Sequence, residues 1–487
     1  MFSTLVRASR QRYAFFAVHK MASIVVTRQS SGKTSDYCHH RLYSNSDESK
    51  PFSEIPTVEG WSPTATAEDQ NTNYARLLER YGQVYKMREQ GSDAWTIVVH
   101  GPKAVQAMYA SEGRCPSRGR LFTEAISRVY KDNKWRPSMA FAGGQEWRRI
   151  RLAARKQATP KWAWQALDPL HRLGAWLGGA LNGGGDIRPA LGHWAYKGTA
   201  LFVLGDIVDL DHTHKTFMRA GLKFTRSLKS ILTSRNQNSD FVETGNTMRQ
   251  LGRQIMERRY QRMKEGRETN TTLPGVFEEW IREGVFSPEE AVVHCTDLMA
   301  TSFDATANMA TFLLFEIAKQ PSLQEQLYRE ITIATTTHRR VTIADLQQMR
   351  LLRDCVKETL RMYPPMAIGR RVVTMDTTIS GYAIPSGTNV HATMGLMSHD
   401  PTYFNEPMRF KPDRWREKDT IQSFSCLPFG FGSRACYGRR FAELQLYSLL
   451  LSVVPRYKLS TTQQSIQVEY SSGLVAMEPV SLTLEAR

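Results

Sequence analysis

The stretch FGFGSRACYGRR, residues 429–440, constrains this chain more than any other. It seats one cysteine, Cys436, in a turn carrying Gly430, Gly432 and Gly438, just ahead of "RRFAELQLYSLLLSVV", an apolar-rich run that reads as a helix. Glycine belongs where a side chain would clash or where φ is positive. Arg434, two residues before the cysteine, points to an anion close by. The chain has six cysteines (Cys38, Cys115, Cys295, Cys355, Cys426 and Cys436), with no partner for Cys436 at zinc-finger or redox spacing, so a CxxC site is excluded there. Their scatter fits a reducing compartment. The positive end of the helix that follows favours a negative charge on the sulfur.

The remaining sequence reads as mainly α with smaller β regions. The chain has 487 residues, 41% of them hydrophobic, which is ample for a large core and too apolar for a disordered protein. No repeat or low-complexity block interrupts it, so residues 44–487 read as one domain. "DAWTIVVHGP" alternates and stops on Gly-Pro, a strand signal, and "TTISGYAIPSGTNVHATM" is a second β region. The best-marked helix starts at "SPEE", with Ser287 as N-cap, Pro288 at the first helical position and Glu290 completing a capping box. It runs to about Lys319, roughly 45 Å at about 1.5 Å per residue.

Residues 1–43 differ from the rest. They hold seven Lys or Arg and one acid, Asp36, with frequent serines, and Lys20 breaks their apolar stretch. This is the composition of an organelle transit peptide rather than of a transmembrane span. "RLYSNS" resembles an arginine-then-serine processing site of mitochondrial precursors, which puts the mature start near Ser44. The formal charge of the whole chain is +17, and 57 basic and 46 acidic residues remain beyond that leader. Without a nucleic-acid module among the motifs, such a surface suits an acidic protein partner or an anionic membrane.

Three further stretches belong with the cysteine turn. "KETLRMYPP" sets Glu358 and Arg361 on one helix face, "FKPDRW" adds Arg414 as a third member of a buried charge network, and "GQEWRRIRLAARK" puts Trp147 and Arg151 one turn apart. Each alone would read as an ordinary helix or loop; ExxR also occurs at Glu146/Arg149 and Glu279/Arg282. A thiolate is the soft ligand that suits haem iron and promotes O–O cleavage. Glycines beside it let the backbone approach a flat macrocycle, Phe429 shields the sulfur, and Arg434 suits a propionate.

The ordered set resembles the cytochrome P450 family over residues 50–487. That resemblance implies the cytochrome P450 fold, with a long central helix lying over a haem and a Cys-ligand loop. It implies haem b as cofactor, Cys436 as the axial iron ligand and Glu358, Arg361 and Arg414 as a structural triad. Trp147, Arg151, Arg371 and Arg434 fall where the family contacts the haem propionates. The leader, the paired Arg439 and Arg440, and Arg353 with Lys357 one turn apart in "LLRDCVKETLR" resemble the mitochondrial branch. Those four basic residues are the candidate docking positions for an acidic [2Fe–2S] ferredoxin, itself reduced by an NADPH-ferredoxin reductase. The implied reaction inserts one oxygen atom of O2 into a hydrophobic sterol-, steroid- or secosteroid-like substrate, on the matrix side of the inner membrane. Peripheral membrane contact through "FMRAGLKFTRSLKSIL" is a further expectation.

One departure stands in "ATSFDATANM" on the long helix. Asp304 and Thr306 are the candidate catalytic residues, yet the alcohol the family places directly after the acid is Ala305, and Thr306 lies about 100° further round the helix. This departure keeps two alternatives open: an isomerase that needs no electron donor, and a non-enzymatic haem-thiolate ligand binder or sensor.

Overall fold

The computed structural model describes residues 49–59, 70–88, 94–181, 185–233, 239–267, 273–335, 341–417, 421–470 and 473–487. The leader read at residues 1–43 lies outside them. Met1–Ser49 and Lys50–Arg487 form separate units, and the second carries every site residue named above.

The helices that build the site are α1 (Pro102–Ala110), α2 (Arg120–Asp132), α3 (Gly144–Ala153), α4 (Leu167–Leu181), α5 (Arg188–Leu204), α6 (His212–Thr233), α7 (Ser239–Lys264), α8 (Pro288–Ala318), α9 (Arg350–Met362) and α10 (Arg439–Val453). α8 is the long helix anticipated from "SPEE". Its capping box is complete: the Glu290 amide donates to Ser287 Oγ and the Ser287 amide donates to Glu290 Oε2, both at 3.3 Å. Most of α8 is buried on every side, including Phe303, Phe312, Leu313 and Phe315. A helix apolar all round must be covered all round, and α5, α6, α7 and α9 cover it. The crossing with α7 is close because Gly252 faces Thr296; a Cβ there would fall 2.3 Å from the Thr296 methyl. No helix of the described residues is long and apolar enough to cross a membrane.

The β regions appear where alternation placed them. β1 (Thr57–Val58), β2 (Val84–Arg88), β3 (Trp95–Val99), β4 (Gly369–Val372) and β7 (Asn389–Ala392) form one sheet in the order β1-β2-β3-β7-β4, while β5 (Thr377–Ile379) and β6 (Tyr382–Ile384) form a hairpin. The hairpin turns on Ser380 and Gly381, both at positive φ, the geometry a two-residue loop prefers. β4 pairs antiparallel with β7, setting Arg371 opposite Val390. Since side chains alternate along a strand, Arg371 is turned to the buried side while Arg370 and Val372 are only partly covered.

α6 carries the stretch for which membrane contact is expected. Within the described part of "FMRAGLKFTRSLKSIL", Phe217, Met218 and Phe224 are buried: Phe224 stacks on Phe241 of α7 at 4.4 Å and meets Phe141 edge-on. What α6 leaves outside is a polar stripe of Lys215, Arg219, Lys223 and Arg226.

Candidate active site

The cysteine turn is held by its own backbone. The Cys436 amide donates to the Phe429 carbonyl (2.8 Å) and the Ala435 amide to the Gly432 carbonyl (3.2 Å), with Gly430 and Gly432 at positive φ. α10 begins directly after, its first turn closed by the Ala442 amide on the Gly438 carbonyl. A Cβ at Gly438 would meet no atom within 4 Å, so the turn opens onto free space there. The Cys436 side chain is reachable by solvent and yet closely surrounded by protein atoms. Burial pushes the thiol pKa up, while the Gly438 amide and the Arg151, Arg118 and Arg439 guanidiniums pull it down.

Four guanidiniums converge around this turn, which forms the floor of the site. Arg151 of α3 donates to the Ala435 carbonyl (2.9 Å) and lies over the Tyr437 ring. Arg434 donates to the carbonyls of Pro116 (2.5 Å) and Ala142 (2.9 Å) and lies 4.2 Å over Trp147, which is itself buried. Arg371 of β4 donates to the Arg370 and Phe431 carbonyls and pairs with Glu112. The fourth, Arg118, donates to the Ala140 carbonyl (3.1 Å). Burial and mutual repulsion lower the pKa of Arg118 to about 10 and that of Arg434 to about 9. Sequence reasoning missed Arg118 and Glu112: "SEGRCPSR" carries no motif or period that marks them.

Such a cluster demands anions. Backbone carbonyls contribute only partial charges, and among the described residues Glu112 is the one carboxylate these hydrogen bonds reach. A flat group bearing two carboxylates, with a metal that takes a thiolate, fits the set of donors. Arg118, Arg151, Arg371 and Arg434 can hold the carboxylates, and Cys436 can ligate the metal.

Beneath this floor, Glu358 and Arg361 are fully buried, with Arg414 almost so. Glu358 Oε1 accepts from Arg361 Nη2 (2.8 Å), Arg414 Nε (2.8 Å) and the Lys411 amide (3.0 Å); Oε2 accepts from Arg361 Nε (3.1 Å) and Trp415 Nε1 (2.9 Å). Trp415 is a member the sequence did not reveal. The two guanidiniums spend their other donors on carbonyls of Ser398, Asn405, Glu406, Pro407 and Arg409. By contrast, the second ExxR match, Glu146 with Arg149, is an exposed pair.

On α8 the burial is interrupted where the family's distal motif falls. Ala305 is exposed in the otherwise covered middle of the helix, and Ser302 and Asp304 are partly so, which marks the face turned to open space. Thr306 is buried, and its hydroxyl donates to the Ser302 carbonyl (3.3 Å). Asn308 donates to Asp304 Oδ1 (3.3 Å). The hydroxyl of Thr306 is therefore committed to its own helix, while the side chain on the open face is a methyl.

The candidate docking residues gather at the junction of α9 and α10. Arg353, Arg439 and Arg440 all lie within electrostatic reach of Tyr447. Arg439 and Arg440 share Glu443 (3.0 and 3.2 Å), and Lys357 pairs with Asp354 (3.0 Å). The face is thus less positive than its cations alone suggest.

Comparison with known proteins identifies the family. A profile of the Cytochrome P450 family matches residues 207–486, and the chain belongs to that family. It is accordingly a monooxygenase with haem b as its cofactor. It is similar to the probable cytochrome P450 49a1 of Drosophila melanogaster, 37% identical over 210 residues, 40% of this chain and 36% of the fly protein. It is 26% identical over 440 residues to the mitochondrial cholesterol side-chain cleavage enzyme of Hypanus americanus, 83% of each chain. With the human mitochondrial sterol 26-hydroxylase it shares 29% over 277 residues, 53% of this chain and 52% of the human one.

Proposed function

We propose that this chain is a mitochondrial enzyme that inserts one oxygen atom of O2 into a C–H bond of a sterol-, steroid- or secosteroid-like substrate, with electrons from a [2Fe–2S] ferredoxin. The observation that carries the reading is the solvent-reachable thiol of Cys436 on a floor of four guanidiniums. The named relatives that cover most of the chain, a mitochondrial cholesterol side-chain cleavage enzyme among them, support the substrate class and the compartment.

In this reading Cys436 would ligate the haem iron, and Arg118, Arg151, Arg371 and Arg434, with Trp147 beneath Arg434, would hold the two propionates. Haem, once bound, supplies the oxygen-activating chemistry. Phe429 screens the sulfur and its carbonyl orients the loop. Glu358, Arg361 and Arg414 brace α9 against the segment leading to that loop. On the opposite side Asp304 is the group that relays protons, and Thr306 holds the helix backbone at Ser302. Because Ala305 offers no hydroxyl, ordered water must complete the relay. Arg353, Lys357, Arg439 and Arg440 receive the acidic ferredoxin, which NADPH-ferredoxin reductase reduces. Residues 1–43 direct import, and the outward stripe Lys215, Arg219, Lys223 and Arg226 gives the folded domain its peripheral contact with anionic lipid on the matrix side.

The test is turnover under 18O2 of a panel of sterols and secosteroids, reconstituted with NADPH, the reductase and ferredoxin. One 18O atom in a hydroxylated product, absent without ferredoxin, is the expected result. A product formed equally well without any electron donor would overturn the reading in favour of an isomerase.

A further inference from the structure

We infer that Glu112 sets the reduction potential of the haem by balancing the guanidinium cluster, and that it pins the cysteine loop from below. The inference rests on the haem-thiolate reading above. Glu112 is 5% exposed and faces Arg371, which is 6% exposed; these residues lie 259 apart in the chain. Oε1 of Glu112 sits under the cysteine loop so closely that a Cβ at Gly432 would fall 2.3 Å from it. Gly432 also holds φ at +75°, so both the backbone and the carboxylate require glycine there. Burial raises the Glu112 pKa, and the Arg371 guanidinium it pairs with, the Ser433 backbone N–H and the Arg434 guanidinium oppose that shift by favouring the ionised carboxylate.

Charge counting gives Glu112 its role. Arg118, Arg151, Arg371 and Arg434 bring four positive charges that act on one another. Two propionates answer two of them, the Cys436 thiolate is offset by the net positive charge of the ferric porphyrin core, and Glu112 answers a third. Without its charge the floor carries one further uncompensated cation. Adding an electron to a centre above a more positive floor is easier, so loss of the Glu112 charge raises the potential. The low effective dielectric of an enclosed site keeps such a charge from being screened away.

The variant Glu112→Gln keeps the shape and removes the charge. In the purified holoenzyme, spectroelectrochemical titration should show the ferric–ferrous equilibrium moved threefold to tenfold towards ferrous; tenfold is about 59 mV for a one-electron couple. Glu112→Asp, which retains the charge, should stay near the parent value. Arg118→Gln removes a cation and should move the potential the opposite way, a reversal that general damage to the site would not produce. An unchanged or lowered potential in Glu112→Gln, with the parent showing a thiolate-type carbon monoxide spectrum, overturns this inference and leaves the haem-thiolate reading standing. If Glu112→Gln does not retain haem, Arg118→Gln decides: a fall supports the electrostatic balance, and no change or a rise overturns it. A parent protein without the thiolate spectrum would remove both readings together.

Discussion

Replacing Ala305 by threonine should restore tighter coupling between electron use and product. The methyl of Ala305 lies on the exposed face of α8, whereas the neighbouring hydroxyl of Thr306 is buried and bonded to the Ser302 carbonyl. Threonine costs roughly 0.5–0.7 kcal/mol against alanine in a helix interior, small beside the packing of so buried a helix. A hydroxyl aimed at the open face adds one hydrogen bond, worth about 0.5–1.5 kcal/mol net. At about 1.4 kcal/mol per factor of ten, that shifts the partition between hydroxylated product and hydrogen peroxide by about twofold to tenfold. The assay counts NADPH consumed, product formed and peroxide released in the same reconstituted reaction. Ala305→Val supplies the bulk without the hydroxyl and should leave the partition where it was. The reasoning fails if the parent enzyme already releases almost no peroxide, or if threonine and valine behave alike.

Further outcomes follow from other contacts. Glu358→Gln leaves two buried guanidiniums without their counter-charge, so urea unfolding of the holoprotein should show a loss of about 3–5 kcal/mol, and a loss under 1 kcal/mol would show that the network contributes little. His294 is buried between Trp280 and Phe286 with neither ring nitrogen hydrogen-bonded among the described residues, and burial lowers its pKa from 6.5 to about 4. Its neutral form therefore favours the fold above pH 6.5. Stability is lost as the pH falls from 6.5 to 4, by about 3 kcal/mol in all; His294→Gln should flatten that slope in unfolding curves at stepped pH. Charge reversal at Arg353 together with Lys357 should raise the KM for ferredoxin about tenfold at low salt and much less at high salt. Reduction by dithionite should be unaffected, and equal losses with both reductants would point to damage of the fold instead.

The sequence displays those parts of the site whose chemistry needs a contiguous pattern. Cys436, Gly432 and Arg434 must share one tight turn, and Glu358 and Arg361 one helix face, so both can be read directly. The capping box at Ser287 is equally local. Glu112, Arg118 and Trp415 are different in kind: they join the site only because the fold brings distant segments together, as the 259-residue separation of Glu112 and Arg371 shows. No periodicity records such a pairing. α6 illustrates a further limit, because its amphipathic pattern shows which side is apolar but not what covers that side. Phe141 and Phe241, from other elements, make it core rather than lipid-facing. Nor does the run "DATANM" disclose that Thr306 turns its hydroxyl back onto its own helix.

The most direct measurement is the carbon monoxide difference spectrum of the purified protein, reduced anaerobically first by NADPH with ferredoxin and its reductase and then by dithionite. A red-shifted, thiolate-type Soret band appearing with ferredoxin, and lost in Cys436→His, is the predicted result. A band that needs dithionite would contradict the ferredoxin partner, and the absence of any such band with either reductant would contradict Cys436 as the iron ligand.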